Sequence, residues 1–298
     1  MDPTDRRTFL KAAGETLAAS ALTTTRTTTA AEADSKGSKA WKKAFMLGGV
    51  SRGPILPQFQ LLKDAGFEGV ELISPNNLDR DEVLRARDET GIVIHGVSGS
   101  LHWKAPLSDP NPEVVERGVA AIRQEMDDCK AYGGDTVLVV PAVVNKQVSY
   151  RDAYTRSQAQ IRKLIPDAER HGVKLAIEEV WNKFLLSPLE FARYIDEFES
   201  PWVVAYFDVG NVVEFGYPEE WIRVLGKRIA KIHIKEYAKP KRFGYKLGEE
   251  GGEIDWPAVR EALLAIGYQG WITAEVPYGD LEALRDIVRR MDKILEMA

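Results

Sequence analysis

Four short apolar runs in the sequence each end at a side chain that could bind a metal ion. They are KLAIE at Glu178, VVAYFD at Asp208, IAKIH at His233 and WITAE at Glu275. Three carboxylates close together would repel one another and raise one another's pKa unless a cation lay between them. Three oxygen donors and one nitrogen suit Mn²⁺, Mg²⁺ or Co²⁺ better than a thiolate-binding metal. The set therefore predicts one divalent cation, most readily Mn²⁺.

The residue before each of these side chains is apolar, which places all four in one phase. Side chains alternate between the two faces of a strand. If the apolar neighbour packs against helices, the candidate ligand therefore lies on the opposite face. These apolar neighbours are Ile177, Phe207, Ile232 and Ala274. Glu179 is out of phase with Glu178, and we therefore assign it to the surroundings of the metal or to the substrate.

Strands and helices alternate through the rest of the chain. Strands are predicted over residues 44–50, 69–73, 92–97, 136–140, 174–178, 203–208, 230–234 and 272–276. Helices are predicted over residues 54–65, 79–90, 112–132, 150–170, 188–198, 218–226, 256–266 and 281–297. This alternation indicates parallel strands joined by helical crossovers.

A single (β/α)8 TIM barrel accommodates eight such units in about 250 residues, with the active site at the C-terminal ends of its strands. A doubly wound open sheet is the alternative, but it usually carries a glycine-rich phosphate turn after its first strand. The corresponding stretch here reads GGVSRGP, which is not G-x-G-x-x-G. The pattern therefore favours the barrel and predicts that the four ligands meet in its mouth.

Composition excludes several classes of protein. The net charge is −5, and basic residues form no stripe, which argues against a nucleic-acid partner. After the N-terminal segment, no apolar run approaches the roughly 18 residues of a membrane span, so the mature form should not enter a membrane. The one cysteine, Cys129, allows no intrachain disulfide.

The N-terminus resembles a twin-arginine export signal. Residues 5–11 read DRRTFLK, and Ala31-Glu32-Ala33 supplies a small-x-small cleavage pattern. We expect a signal peptide over residues 1–33, a polar linker over 34–40 and the barrel over 41–298. The mature protein should accordingly be periplasmic or otherwise exported.

The C-terminal half resembles the xylose-isomerase-like sugar isomerase/epimerase superfamily, which includes ketose 3-epimerases, inosose dehydratases and, more distantly, endonuclease IV. The resemblance is closest to the L-xylulose-5-phosphate 3-epimerase branch. It is carried by PWVVAYFDVGN (201–211), RIAKIHIKEY (228–237), LGEEGGEIDW (247–256) and GYQGWITAEV (267–276).

This resemblance implies roles for individual residues. The metal ligands would be Glu178, Asp208, His233 and Glu275. Glu178 and Glu275 would also act as the catalytic pair, one removing a proton next to the substrate carbonyl and the other returning a proton to the opposite face. The cation would stabilise the enediolate charge between these steps.

Further residues are predicted to bind the substrate. Lys235 is in phase with His233, and His102-Trp103 could stack on a sugar ring. Asn211 stands where free-sugar ketose 3-epimerases have a histidine, whereas the phosphosugar branch shares the asparagine. The complete predicted set is His102, Trp103, Glu179, Asn182, Asn211, Lys235 and Arg242.

The function predicted first is a metal-dependent sugar isomerase or epimerase. The alternative is a lyase or dehydratase of the same superfamily, acting on a 3-keto-glycoside or an inosose, since export points away from sugar phosphates. An apurinic-site endonuclease is disfavoured because it would need a basic DNA-binding face and several metal-binding histidines, whereas this chain has a negative net charge and four histidines, one of them in the ligand set. A non-catalytic sugar binder is a further minor alternative. The sequence does not decide the oligomeric state and is compatible with a homo-oligomer.

Overall fold

A computed structural model describes residues 41–48, 53–239 and 241–297. The predicted export signal and linker lie outside these residues. None of the helices described is both long and apolar enough to cross a membrane.

Eight parallel strands close into a barrel in sequence order, which confirms the predicted TIM barrel. The barrel closes where Trp41–Phe45 of the first strand pair with Gly270–Ala274 of the last. The strands are β1 (Trp41–Leu47), β2 (Gly69–Ser74), β3 (Val93–Gly99), β4 (Thr136–Val139), β5 (Lys174–Glu178), β6 (Val203–Asp208), β7 (Ile229–Ile234) and β8 (Gly270–Ala274).

One α-helix follows each strand. The helices are α1 (Ile55–Ala65), α2 (Arg80–Thr90), α3 (Pro112–Tyr132), α4 (Tyr150–His171), α5 (Pro188–Asp196), α6 (Pro218–Leu225), α7 (Trp256–Ala265) and α8 (Leu281–Leu295). Local chemistry sets their ends: the Asp79 carboxylate accepts the Glu82 N–H at the start of α2, and Gly172 ends α4 with a φ of 68°.

Several predicted boundaries differ from the structure by up to three residues. Strand β1 begins at Trp41 rather than 44, because pairing with β8 extends it; residues 49 and 50 lie outside the described part. Helix α5 ends at Asp196, two residues early. Strand β8 ends at Ala274, so Glu275 follows the strand, but its N–H still donates to the Ile234 carbonyl at 3.0 Å. Glu275 therefore keeps the inward phase predicted for it.

The main apolar core lies between the barrel and its helices. The side chains that precede all four predicted ligands are completely buried in it: Ile177, Phe207, Ile232 and Ala274. A second, small cluster contains Leu138, Val140, Ala176 and Tyr206. Ala176 and Tyr206 are each two residues before a predicted ligand, so this cluster lies on the inward face of the strands, beneath the mouth.

Candidate metal centre and sugar site

The four predicted ligands converge in the mouth of the barrel. Each of Glu178, Asp208, His233 and Glu275 offers one ligand atom, and these atoms all lie within 4.8 Å of one another. The His233 Nδ1 atom is 3.2 Å from a Glu178 oxygen, 3.6 Å from a Glu275 oxygen and 4.0 Å from an Asp208 oxygen. Strand register brings Asp208 directly beside His233. The predicted cluster thus exists, and its residues lie at or just after the C-terminal ends of four consecutive strands.

The donors fit a divalent cation. Asp208 and His233 are almost completely buried, and the Asp208 Oδ2 atom has no hydrogen-bond partner among the described residues. The other oxygen, Oδ1, accepts the backbone N–H of Asn211 at 2.8 Å, which fixes the carboxylate. A buried carboxylate oxygen aimed at two further carboxylates and an imidazole is the environment that a hard cation stabilises.

Lys235 supplies part of the positive charge that the carboxylates need. Its ammonium is 2.5 Å from a Glu275 oxygen and 3.0 Å from Asp208 Oδ2, although the second contact lacks hydrogen-bond geometry. The same ammonium lies 4.9 Å from the centre of the Phe243 ring. Lys235 therefore joins the ligand cluster to the wall of the cleft above it.

The carboxyl groups of the cluster differ in proton affinity. Burial raises the pKa of Glu178 to about 7, with the His233 ring opposing this and the charge of Glu275 adding to it. Burial likewise raises the pKa of Asp208 to about 6 against the charge of Lys235. For Glu275, burial alone would raise the pKa, but the charges of Lys235 and His233 outweigh it and hold the pKa at about 2.

A cleft of about 510 Å³ opens beside the cluster and is large enough for a sugar. Glu275 and Lys235 line it together with Gln58, Phe243 and Tyr278. The predicted catalytic carboxylate of Glu275 and the Lys235 ammonium therefore face a space that a substrate can enter.

His102 and Trp103 lie on the loop after β3. The two rings meet edge to face at 5.3 Å, and Trp103 is 54% exposed. Burial lowers the pKa of His102, and the Gly99 carbonyl and the charge of Glu275 offset part of this effect. Contact of His102 and Trp103 with a substrate stays a prediction.

Two of the predicted substrate residues form hydrogen bonds with the backbone. The Asn182 amide donates to the Ala142 carbonyl at 2.6 Å and accepts the Phe184 N–H at 3.0 Å. The Asn211 amide donates to the Glu179 carbonyl at 3.0 Å. The Asn182 side chain thus fixes the loop after β5, and Asn211 positions Asp208 through its N–H; contact with a substrate stays a prediction for both residues.

Glu179 is buried beside the cluster rather than in the open cleft. It is 3% exposed, and neither carboxylate oxygen has a hydrogen-bond partner among the described residues. Burial, with the charges of Glu178 and Asp208, raises its pKa well above the ordinary value. Direct contact with a substrate therefore remains a prediction for this residue.

Arg242 lies at the tip of the loop after β7. It is exposed, has a φ of 52°, and places its guanidinium 5.1 Å from the centre of the Trp181 ring. Trp181 in turn packs 4.9 Å from the Phe243 ring, centre to centre. An aromatic wall thus connects Arg242 to the cleft.

The sequence argument overlooked a chain of polar groups inside the barrel. The Tyr206 hydroxyl donates to Glu71 at 2.5 Å and lies 3.4 Å from the Thr273 hydroxyl, which contacts His95 at 3.1 Å. The Lys231 ammonium donates to the His95 carbonyl at 3.2 Å. The alternation of side chains along a strand could have revealed three of these residues. Tyr206, Lys231 and Thr273 each stand two residues before a ligand and therefore lie on the same inward face.

The chain belongs to the xylose isomerase-like TIM barrel family, whose sequence model matches residues 59–295. The four-residue cluster at its mouth is the candidate metal site of this family member.

Several relatives of the chain are sugar epimerases. L-ribulose-5-phosphate 3-epimerase UlaE of Escherichia coli O1:K1 is 26% identical over 259 residues, which cover 80% of this chain and 90% of that protein. Among solved structures, 3-keto-D-glucoside 4-epimerase YcjR of E. coli superposes with a TM-score of 0.73 at 20% identity, covering 85% of this chain and 99% of that one. D-allulose 3-epimerase from Methylomonas sp. in complex with D-allulose gives a TM-score of 0.68 at 19% identity, covering 87% and 95%.

Proposed function

We propose that this protein is a divalent-metal-dependent sugar isomerase or epimerase that moves a proton on the carbon next to a carbonyl. The observation that carries this proposal is the convergence of Glu178, Asp208, His233 and Glu275 within 4.8 Å beside an open cleft. Relatives named as sugar epimerases support the same reaction class. Mn²⁺ is the ion we propose for the site, because its donor set is three oxygens and one nitrogen.

Glu178 and Glu275 are the proposed proton-transfer pair. Their surroundings differ: in the metal-free protein burial raises the pKa of Glu178 to about 7, whereas Lys235 and His233 hold that of Glu275 at about 2. Two carboxyl groups whose surroundings separate their pKa values in this way can divide the acid and base roles. When bound, the cation would stabilise negative charge on the substrate oxygens.

Lys235 and the aromatic wall are the proposed substrate contacts. The Lys235 ammonium, held between Asp208 and Glu275, can donate to a sugar oxygen that enters the cleft. Phe243, Trp181 and the exposed Trp103 offer apolar faces of the kind that stack on a sugar ring.

We also propose that residues 1–33 direct export and that the substrate is an unphosphorylated ketose or keto-glycoside. The support is the DRRTFLK motif, since sugar phosphates are mostly intracellular. Replacing both Arg6 and Arg7 with lysine should retain the protein in the cytoplasm, measured by fractionating cells that express each form. Equal periplasmic amounts of the two forms would contradict the export proposal.

Deuterium exchange provides the direct test of the reaction. Purified residues 34–298, loaded with Mn²⁺, would be incubated in D2O with a panel of ketoses and 3-keto-glycosides. After the metal is removed, NMR should show deuterium next to the carbonyl together with an inverted stereocentre or a shifted carbonyl. An enone or a released aglycone would instead indicate a lyase, and absence of exchange with every sugar would contradict both enzyme assignments.

A further inference from the structure

His233 is held by carboxylates at both of its ring nitrogens. Its Nδ1 atom faces the ligand cluster, at 3.2 Å from Glu178. Its Nε2 atom faces the other way and lies 3.2 Å from Glu71 Oε1. Both Glu71 and His233 are at most 1% exposed, so water does not compete for this contact. The two nitrogens of one ring are therefore assigned to different partners.

Glu71 is an unusual residue to find in strand β2. It interrupts the apolar sequence Gly69-Val70-Glu71-Leu72-Ile73 and is completely buried. Burial of a carboxylate costs several kcal/mol unless hydrogen bonds and an opposite charge compensate it. Among the described residues, His233 is the one basic side chain paired with Glu71. The partner of this buried charge is thus a predicted metal ligand.

Tyr206 fixes both members of this pair. Its hydroxyl donates to Glu71 Oε2 at 2.5 Å, which leaves Oε1 for His233. Its ring packs against the His233 ring at 4.3 Å between centres, with the planes at 45°. The orientation of the imidazole is therefore set by packing against the Tyr206 ring and by the contact of its Nε2 atom with the Glu71 carboxylate.

We propose that Glu71 is a positioning residue of the metal centre, which accepts the Nε2–H of His233 and so keeps Nδ1 free to bind the cation. Histidines that bind metals usually donate their second ring N–H to a carboxylate or carbonyl, and this fixes the tautomer and increases the basicity of the ligand. Tyr206 holds Glu71 in the orientation that this requires. The inference rests on the proposed metal site and adds a residue from β2, across the barrel from the ligand strands.

Co²⁺ binding to Glu71→Gln tests the proposal. Glutamine keeps the size of the side chain but removes its charge. We expect Co²⁺ to bind about 10–100-fold more weakly, as measured by titrating the visible absorption of the ion. Thr273→Val is the matched control, because it alters the same polar chain through Tyr206, while among the described residues the Thr273 hydroxyl bonds to Tyr206 and His95 and not to His233. Its Co²⁺ affinity should equal that of the wild type.

The histidine tautomer gives a second readout that is independent of activity. In ¹⁵N-histidine-labelled protein loaded with diamagnetic Mg²⁺, the His233 signals should show a protonated Nε2 and an unprotonated Nδ1. If Glu71→Gln does not fold, Tyr206→Phe decides the question: it leaves Glu71 in place and should weaken Co²⁺ binding in the same direction by a smaller factor.

The outcomes separate this inference from the proposed function. If wild-type protein binds Co²⁺ and the Glu71→Gln form binds it equally well, Glu71 only supports the fold and the inference is wrong. A protonated Nδ1 in the metal-loaded protein would also overturn it. If wild-type protein binds no divalent ion at all, the metal site itself fails, and the positioning role fails with it.

Discussion

At the scale of single residues, protons and a cation compete for the same four side chains. Glu178 and Asp208 have raised pKa values because they are buried beside other carboxyl groups, and Lys235 compensates only part of the negative charge. His233 also holds a proton more tightly than usual: burial alone would lower its pKa, but the charge of Glu71 and the contact with Glu178 raise it well above the ordinary value. A metal must displace these protons.

Metal affinity should therefore increase with pH. As the pH rises through about 6 and about 7, Asp208 and Glu178 lose the protons that block coordination, so binding should be tighter at pH 8 than at pH 5.5. Calorimetry in buffers of different ionisation enthalpy should also detect protons released on binding. An affinity independent of pH, with no proton release, would contradict these raised pKa values.

The two proposed catalytic glutamates should each be essential. Glu178→Gln and Glu275→Gln should reduce turnover by about 10²–10⁴-fold, measured at metal concentrations that saturate each variant, because neutral amides cannot exchange protons with the substrate. Glu261→Gln, on the exposed face of α7, is the control and should be as active as the wild type. Nearly full activity in either variant would remove that residue from the proton-transfer pair.

At the scale of elements, the loop between β7 and α7 is organised by one buried carboxylate. Glu236 is 1% exposed and accepts hydrogen bonds from the Gly248 N–H at 2.8 Å and the Trp256 indole at 2.7 Å. This loop begins beside Lys235 and carries Phe243 into the cleft. The carboxylate thus stabilises the wall of the site from beneath.

Removal of that carboxylate should destabilise the protein. Glu236→Ala leaves buried donors without partners, which should lower the free energy of unfolding by on the order of 1–3 kcal/mol. Urea denaturation would measure the change. Glu253→Ala, which removes an exposed acceptor of the Lys239 N–H, is the control and should cost much less. Equal losses in the two variants would show that Glu236 does not organise the loop.

The loop that carries His102 and Trp103 depends on a close approach to helix α3. A Cβ added at Gly118 would lie 2.2 Å from the Ala105 carbonyl oxygen. Alanine normally favours a helix by about 1 kcal/mol over glycine, but backbone overlap should reverse the sign here. We expect Gly118→Ala to lower Tm and to change the intrinsic tryptophan fluorescence, whereas Glu116→Ala on the exposed face of α3 should do neither. A raised Tm would show that the loop moves away from the added methyl group at little cost in stability.

At the scale of the whole molecule, the metal site joins four consecutive strands and, through Glu71, reaches β2 across the barrel. Ion binding should therefore stabilise the whole barrel and not one loop. At a free-ion concentration of 100 Kd, binding adds about 2.7 kcal/mol to the free energy of unfolding. For a domain near 250 residues this corresponds to an increase in Tm of about 5–10 °C.

Thermal unfolding with and without ions would measure this stabilisation. The increase should appear with Mn²⁺, Mg²⁺ or Co²⁺ at saturating concentrations and should reverse on chelation. The Glu178→Gln, Asp208→Asn double variant removes two ligands and should show no increase. If the double variant were stabilised as much as the wild type, the ion would be bound elsewhere.

The sequence by itself determined the barrel and the four-residue cluster. Glycine and capping residues mark the helix ends, and the apolar side chain before each ligand sets the phase of its strand. In a parallel barrel these two local signals suffice, because the closed sheet brings all inward-facing strand ends to the same mouth. Strand register in the structure then sets Asp208 beside His233.

Only the tertiary structure decided which other polar side chains take part. Glu71 and His233 are separated by 162 residues, and no local pattern relates them. The carboxylates of Glu178 and Glu275 belong to the same residue type, yet their pKa values separate because Lys235 contacts one of them. The backbone contacts that occupy Asn182 likewise arise from Ala142, on a neighbouring loop. Each depends on distances that closing the barrel creates, so the sequence pattern could not show them.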